Sequence, residues 1–312
     1  MSPPVDGSGA NRPVVVIGEV AVDLVAQVDD LPSRGGFALA RTVRRFAGGS
    51  AGNVAVALSR LGQDVKFCGQ VGDDEDGRFL TRAFEREGVS TDQFLLTPER
   101  DTPRCLVMVE DGGSRMILGF PRTATGLQPA DFDLEGIAEA ACVFIGPTHT
   151  GLAREVALTA HFQRVTTCYA PGGLCHCLEP RALQPVLGRT DVLFLSENEA
   201  WALTGTSDLE LSVEQLVDAG PGMVVVTLGR EGALVARGDA FYRVPAAPAP
   251  TVRDATGAGD AFAAGFVAAW LRGLGPEAAA RVGGAAAALT IQHLGARVGL
   301  PTWVEAAGHA GL

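Results

Sequence analysis

The sequence predicts an α/β fold in which a mostly parallel central sheet is covered by helices and carries a small antiparallel β-lid. Two observations lead to this prediction. Short apolar segments alternate with helical patterns along most of the chain, which is typical of parallel strands joined by crossover helices. Two further segments contain strand patterns without a helix between them, and such segments favour antiparallel hairpins.

The first elements of the predicted sheet lie near the amino terminus. Residues 14–17 are continuously apolar and end at Gly18, which is the pattern of a buried strand. Residues 50–61 carry small and apolar side chains at helical spacing, with a serine at the start and Gly62 as the stop. The alternation then continues, with strands predicted at residues 65–68, 141–145, 192–195 and 223–227 and helices at residues 77–87, 212–219 and 259–271.

The lid is predicted from residues 37–46 and 104–120, and the second segment contains EDGG, a hairpin turn, at residues 110–113. With their flanks, these segments place the lid at about residues 29–46 and 97–120 of a single domain spanning residues 13–312. Residues 1–12 have neither a basic start nor an apolar core. We expect them to form a disordered leader.

Composition narrows the classes of function. The 312 residues are 47% hydrophobic, which is enough to bury a large core. The formal net charge of -11 repels nucleic acid and anionic membrane surfaces, so an anionic substrate must be held by local arginines or backbone amides. The longest apolar run, residues 261–271, is too short to span a bilayer. We therefore expect a soluble cytoplasmic protein with no nucleic-acid or membrane partner.

The single lysine excludes two architectures for phosphoryl transfer. Lys66 lies between Val65 and Phe67, so it belongs neither to the Gly-Lys-Ser/Thr end of a P-loop nor to the Val-Ala-Ile-Lys strand of a protein kinase. A kinase of this sequence would need a different phosphate-binding element.

The segment DATGAGD, residues 254–260, lies at the start of the last predicted helix. Asp260 can be a helix cap after a flexible turn. Alternatively, the backbone N–H groups of Gly257, Ala258 and Gly259 surround an anion at the positive end of the helix. Asp260 would then lie beside a bound phosphate, where it can take the proton from an attacking hydroxyl. This segment alone leaves both interpretations open.

Four other motifs fall at or near strand ends, where open α/β sheets bind their ligands. They are GEVAVD at residues 18–23, GGSAGN at 48–53, SENE at 196–199 and TLGREG at 227–232. Each has a simpler explanation when taken singly. Asp23 can be a solvated loop acid, Gly49 part of a tight turn, Glu199 a first-turn helix charge and Gly229 a turn glycine.

In order and spacing, these motifs resemble the ribokinase-like carbohydrate kinases, or PfkB family, from residue 14 to about residue 296. The Gly-Gly-x-x-x-Asn and Asp-x-Thr-Gly-Ala-Gly-Asp motifs carry the resemblance. It implies a ribokinase-like three-layer α/β/α sandwich and an ATP-dependent sugar kinase. It also implies magnesium (Mg2+) as cofactor, a monovalent cation such as K+ in many members, and a homodimer through the β-lid.

The resemblance also assigns roles to individual positions. The catalytic group consists of the base Asp260 and the anion-hole residues Gly257, Ala258 and Gly259. Sugar hydroxyls are assigned to Asp23, Gly49 and Asn53, and the nucleotide to Ser196, Thr227, Gly229 and Gly232. The cation positions are Glu199, which orients magnesium through water, and the monovalent-cation residues Asp254 and Thr256, with Gly295 and Ala296 completing that region.

Several residues indicate which class of substrate the chain would bind. Ser50 replaces the lysine of ribokinases, which counts against ribose and leaves a ketose, another pentose or a sugar acid. Arg104, at the start of a lid strand, is either a solvated edge charge or a ligand for a substrate carboxylate or phosphate. The lid offers Phe37, Phe46 and Phe120 but no Trp or Tyr, which favours a sugar over a nucleoside.

Two proteins of other classes are the alternatives. A catalytically inert sugar-binding regulator would be expected to have lost Asp260 or its glycines, and both are present. A dinucleotide-dependent oxidoreductase would need a Gly-x-Gly-x-x-Gly turn after the first strand, where this chain has GEVAVD.

Overall fold

The computed structural model describes residues 12–120, 127–177 and 180–312, in which strands and helices alternate. The strands are β1 Val14–Ile17, β2 Ala21–Gln27, β3 Thr42–Gly48, β4 Val65–Gly72, β5 Ser90–Thr97, β6 Arg104–Val109, β7 Arg115–Gly119, β8 Cys142–Ile145, β9 Thr166–Tyr169, β10 Val192–Ser196, β11 Val224–Thr227, β12 Ala233–Arg237 and β13 Ala240–Val244. The helices are α1 Ser50–Arg60, α2 Glu75–Arg86, α3 Thr150–Gln163, α4 Pro180–Leu187, α5 Glu197–Thr204, α6 Leu209–Asp218, α7 Ala258–Leu271, α8 Pro276–Thr290 and α9 Trp303–His309. Every strand and helix expected for the sheet region is present, with ends shifted by a few residues.

The central sheet has nine strands in the order β13-β12-β11-β10-β9-β8-β1-β4-β5. All pairs from β5 to β11 are parallel, whereas the β11–β12 and β12–β13 pairs are antiparallel, so β12 alone of these nine strands runs in the opposite direction. The mostly parallel sheet is therefore confirmed. Because β1 pairs with β4 on one side and β8 on the other, the direction of strand addition reverses at β1, which is where such sheets bind ligands.

Alternate side chains of β1 enter two separate hydrophobic clusters, one on each face of the sheet. Val14 and Val16 pack with residues of α1, α2, α7, α8 and α9. Val15 and Ile17 pack with residues of α3, α4, α5 and α6. A strand covered on both faces must be apolar throughout, which explains its continuous apolar run. Helices on both faces confirm the three-layer arrangement.

The lid is a four-stranded sheet in the order β3-β2-β6-β7. Its outer pairs are antiparallel, whereas the central pair of β2 and β6 is parallel. The EDGG turn between β6 and β7 is confirmed, with Gly112 and Gly113 at φ of 100° and 84°. Strand β3 begins at Thr42 rather than Phe37, and β2 was not expected. Asp23 therefore lies inside a lid strand and not in a solvated loop.

Residues 1–11 of the expected leader lie outside the described residues. Within the described ranges, no helix combines the length and the apolar character needed to cross a membrane.

Candidate active site

A cavity of about 710 Å3 lies at the carboxyl ends of β10 and β11, beneath the lid. The first turns of α1 and α7 reach the same space, because both helices follow glycine-rich segments at this edge of the sheet. The cavity brings together most of the residues expected at the site: Asp23, Gly49, Asn53, Ser196, Glu199, Thr227, Gly229, Thr256, Gly257, Ala258, Gly259 and Asp260. Five others, Arg104, Gly232, Asp254, Gly295 and Ala296, do not line it.

Asp260 is half-buried in the first turn of α7, and its carboxylate is held by α1. Ser50 Oγ donates to Oδ1 at 2.6 Å, and Asn53 Nδ2 donates to Oδ2 at 2.8 Å. Burial raises the pKa of Asp260, these two hydrogen bonds lower it, and the charge of Glu199 raises it. The helix has Gly257 as its N-cap and no side-chain cap, so Asp260 does not act as the cap.

The turn before α7 leaves backbone donors available at the positive end of the helix. Gly257 has φ of 80°, and a Cβ there would lie 2.7 Å from the Cβ of Ala296, so only glycine fits. The N–H groups of Gly257 and Gly259 have no acceptor in the described part of the chain, whereas that of Ala258 donates to the carbonyl of Ala255 at 3.3 Å. Two open amides beside a carboxylate suit a phosphoryl group.

Asp23 faces the cavity from β2 and is 5% exposed. Its carboxylate lies against Gly48, where any Cβ would overlap it. Burial raises the pKa of Asp23 to about 7; Arg297 lowers it, and Asp260 and Asp254 raise it. Within the described residues the carboxylate accepts no hydrogen bond, so both oxygens can accept hydroxyl groups of a ligand.

Arg297 is a residue of this site that sequence reasoning missed. It is 8% exposed, and its Nε donates to Asn53 Oδ1 at 2.9 Å while Nη2 donates to the Gly48 carbonyl at 2.7 Å. Burial lowers the pKa of Arg297 to about 10, against the raising effect of Asp23 and Asp260. The available signal was a lone arginine among small and apolar residues, LGARVGL, at positions 294–300.

Ser196 and Glu199 form a capping box at the start of α5. Glu199 Oε2 accepts from the N–H of Ser196 at 2.7 Å, and the Ser196 hydroxyl accepts from the N–H of Glu199 at 3.4 Å. The first-turn explanation of Glu199 is thus correct, yet both side chains also line the cavity. Capping occupies one carboxylate oxygen, which leaves Oε1 for another ligand.

In the glycine turn after β11, some residues line the cavity and one packs against the backbone of the sheet. Thr227 and Gly229 line the cavity, and Gly229 has φ of 56°. Gly232 instead packs against the backbone of Val244 and Ala246, where a Cβ would overlap the Val244 carbonyl. The absence of a side chain at Gly232 lets the chain at the end of β13 approach the start of β12. Gly232 does not line the cavity.

Asp254 and Thr256 lie next to the start of α7. Both carboxylate oxygens of the buried Asp254 accept backbone N–H groups at 2.9 Å, from Thr256 and Gly295. The hydroxyl oxygen of Thr256 is buried and has no hydrogen-bond partner. An unpartnered hydroxyl oxygen is suited to act as a ligand of a cation. The described residues contain no cluster of three or more acidic, His or Cys side chains placed for a metal.

Arg104 does not face the cavity, in contrast to the expectation that it holds a substrate anion. Its guanidinium donates to Asp76 of α2, which raises the pKa of Arg104. Arg45 pairs with the same carboxylate from β3. The cationic side chain on the cavity wall is instead Arg115 of β7, which makes no hydrogen bond or ion pair within the described ranges. In the sequence, Arg115 lies two residues after the EDGG turn, and nothing at that position indicates a residue of the cavity wall.

The aromatic side chains at the cavity come from the core. Phe144, Phe194 and Phe262 line it, whereas the lid residues Phe37, Phe46 and Phe120 do not.

Comparison with known proteins gives consistent matches over nearly the whole chain. Residues 11–303 match the family model described as pfkB family carbohydrate kinase. An ATP-dependent ribose-1-phosphate kinase of Halopiger xanaduensis is 34% identical over 285 residues, which cover 91% of this chain and 93% of the relative. A nucleoside kinase of Methanothermobacter thermautotrophicus is 27% identical over 296 residues, or 95% of this chain and 94% of the relative.

A solved structure shares the architecture. Arabidopsis thaliana ribokinase complexed with ribose and ATP aligns with a TM-score of 0.82 and 26% identity, covering 96% of this chain and 99% of that chain. The ribokinase-like fold implied by the sequence motifs is therefore confirmed.

Proposed function

Because the chain belongs to the pfkB family of carbohydrate kinases, we propose that it transfers the γ-phosphate of ATP to a hydroxyl group of a small carbohydrate. Family membership makes it a phosphotransferase with a hydroxyl acceptor. One observation supports the assignment of the reacting centre: the carboxylate of Asp260, fixed by two hydrogen bonds, lies beside two open backbone amides in the cavity.

The geometry supports direct in-line transfer. The acceptor lies against Asp23 and Asn53, which bind its hydroxyl groups. Asp260 takes the proton from the attacking hydroxyl, and its raised pKa makes it a better base than an ordinary aspartate. The amides of Gly257 and Gly259 stabilise the charge that develops on the transferred group. The lid excludes water, which would otherwise compete as acceptor.

Two cation sites accompany this proposal. Glu199 would orient Mg2+ through bound water, using the oxygen that capping leaves available, and the cation would neutralise phosphate charge. Thr256, with its unpartnered buried hydroxyl, and Asp254 would belong to a monovalent-cation site that accepts K+. Asp254 would contribute mainly by fixing the two loops, because its oxygens are already occupied.

Arg115 favours an acceptor with an anionic group. Among the described residues it supplies the cationic side chain of the cavity wall; it makes no hydrogen bond or ion pair there, and its charge lowers the pKa of Asp260. A relative named as a ribose-1-phosphate kinase fits the same chemistry. We therefore rank a phosphorylated pentose or a sugar acid above a neutral ketose. A nucleoside ranks lower, because no lid aromatic of the described residues lines the cavity for base stacking.

The test is ADP release measured with ribose, fructose, gluconate, ribose 1-phosphate and adenosine. The expected best substrate is an anionic sugar, and Arg115→Ala should raise its KM about ten- to a hundredfold with little change in KM for ATP. A neutral sugar as best substrate with a silent Arg115→Ala would overturn the anionic acceptor alone. Binding of a sugar without any ADP release would support the inert regulator.

We also propose that two copies associate through the lid. Met116 and Leu118 of β7 are 47% and 56% exposed, and the alternation of a strand places them opposite the cavity-lining Arg115 and Ile117. Light scattering should give twice the chain mass, and Leu118→Ser should lower it toward that of a monomer. A monomeric wild-type protein at micromolar concentration would contradict the proposal.

A further inference from the structure

Arg297 joins the segment after α8 to the first turn of α1 from inside the protein. Its guanidinium makes three contacts: Nε with Asn53 Oδ1, Nη2 with the Gly48 carbonyl, and its face over the ring of Phe84 at 5.2 Å from the centroid. It does not line the cavity, so it can act on a substrate only through its neighbours.

The side chain of Asn53 has two distinguishable ends, and both are assigned by charged partners. With Arg297 donating to Oδ1, Nδ2 is directed to the carboxylate of Asp260. Rotating the amide by half a turn would place two donors together at Arg297 and two acceptors together at Asp260, and each contact would lose a hydrogen bond to a charged group. Only one orientation of Asn53 is therefore compatible with both neighbours.

We propose that Arg297 is a positioning residue for phosphoryl transfer, which holds the amide of Asn53 so that its Nδ2 donates to Asp260. This proposal rests on the proposed function, since it takes Asp260 as the base. The hydrogen bond fixes the direction of the Asp260 carboxylate toward the acceptor hydroxyl. It also commits one N–H of Asn53 to Asp260 and one lone pair of Oδ1 to Arg297, which leaves the second N–H of Asn53 to donate to an oxygen of the sugar.

A purely structural role explains the arginine less well. The segment that carries it is already fastened by Arg60, whose Nη1 donates to the carbonyls of Arg297 and Leu300. In addition, Nη1 of Arg297 is buried without a hydrogen-bond partner, and burying such a donor destabilises the fold. An apolar side chain would pack there at lower cost if only packing were required.

The test is a double-mutant cycle on kcat with the best acceptor from the substrate screen, using Arg297→Met, Asn53→Ala and the double variant. Arg297→Met should lower kcat about tenfold or more in the wild-type background, with KM for ATP unchanged. In the Asn53→Ala background the same substitution should lower kcat by less than about threefold, because there it removes only the charge of Arg297 near Asp23 and Asp260. Equal losses in both backgrounds, or no loss in the first, would overturn the proposal.

Arg272→Met is the matched control, because Arg272 also donates to two carbonyls, those of Ala268 and Leu61, and lies over an aromatic ring, Trp303. It should leave kcat unchanged. If Arg297→Met does not fold, Arg297→Lys replaces it in the cycle, with a smaller loss expected and again no loss in the Asn53→Ala background. An inactive Asp260→Asn variant beside a fully active Arg297→Met would overturn the positioning role while the proposed function stands.

Discussion

Replacing Asp260 by asparagine should remove most of the turnover and leave the fold intact. Asparagine has the shape of aspartate, and its amide can satisfy the same neighbours. Its oxygen can accept from Asn53 Nδ2, and its nitrogen can donate to the hydroxyl of Ser50. What disappears is the carboxylate that, in the proposed mechanism, takes a proton from the acceptor hydroxyl.

The expected magnitude follows from the role of a general base. Such groups contribute about 10²- to 10⁴-fold to the rate, and we expect a loss of about 10³-fold in kcat, which corresponds to about 4 kcal/mol of barrier. The amides of Gly257 and Gly259 remain in place and retain the stabilisation of the phosphoryl group. Affinity for ATP should therefore change little. Because burial disfavours the ionised carboxylate, the variant should melt no lower than the wild type at pH 8.

The assay is ADP release at saturating acceptor, combined with calorimetric ATP binding and a melting curve. Asp191→Asn is the matched control: Asp191 is also partly buried with a raised pKa, but it lies at the amino end of β10, away from the cavity. It should keep normal turnover. A kcat for Asp260→Asn within tenfold of the wild type would refute the role of Asp260 as base, and so would an equal loss in the control.

Three further predictions concern individual residues of the site. The pKa of Asp23 is near 7 in the folded protein and near 3.9 when unfolded, so the folded state binds the extra proton and the free energy of unfolding should fall as pH rises from about 4 to about 7. Denaturation across this range should show a smaller slope for Asp23→Asn, and an unchanged slope would contradict the shift. Glu199→Gln can keep the capping hydrogen bond, so it should raise the Mg2+ concentration for half-maximal activity without lowering the melting temperature. The control is the exposed Glu210→Gln, which should change neither the Mg2+ requirement nor the melting temperature. In Gly48→Ala the new methyl group would overlap the Asp23 carboxylate, so the variant should raise the KM for the acceptor at least tenfold. Gly119→Ala, with open space around the added methyl group, should leave that KM unchanged. Equal KM values for the two variants would argue against acceptor binding at Asp23.

The central sheet could be predicted because its chemistry is local. A strand buried on both faces must be apolar at every position, as β1 is, and the glycine that ends it is visible in the sequence. The lid strand β2 was missed for the opposite reason. Its seven residues include Asp23, and a buried carboxylate in a strand is indistinguishable in sequence from a loop acid until its function is known.

The family and the enzyme class were predicted correctly, because their motifs are short and contiguous. Pairings between distant segments could not be predicted. Arg104 has the charge for a substrate anion, but the fold places Asp76, 28 residues earlier, against it. Arg297 and Asn53 are 244 residues apart, so nothing in either segment indicates their contact. The position of Gly232 outside the cavity could not be predicted either, since the constraint on that glycine comes from the backbone of the distant Val244.

The charge distribution of the site explains how an acidic protein can bind an acidic nucleotide. The chain carries a formal net charge of -11, and Asp23, Asp254 and Asp260 lie at or beside the cavity. The two oxygens of Asp254 accept backbone N–H groups, and each oxygen of Asp260 accepts one hydrogen bond, from Ser50 or Asn53, which offsets part of the negative charge near the phosphates and leaves Asp260 a lone pair for a proton. In the proposed mechanism, attraction for the phosphates then comes from the open amides at the start of α7, from Arg115 on the cavity wall and from bound cations, which act over short distances and would fix where the γ-phosphate lies.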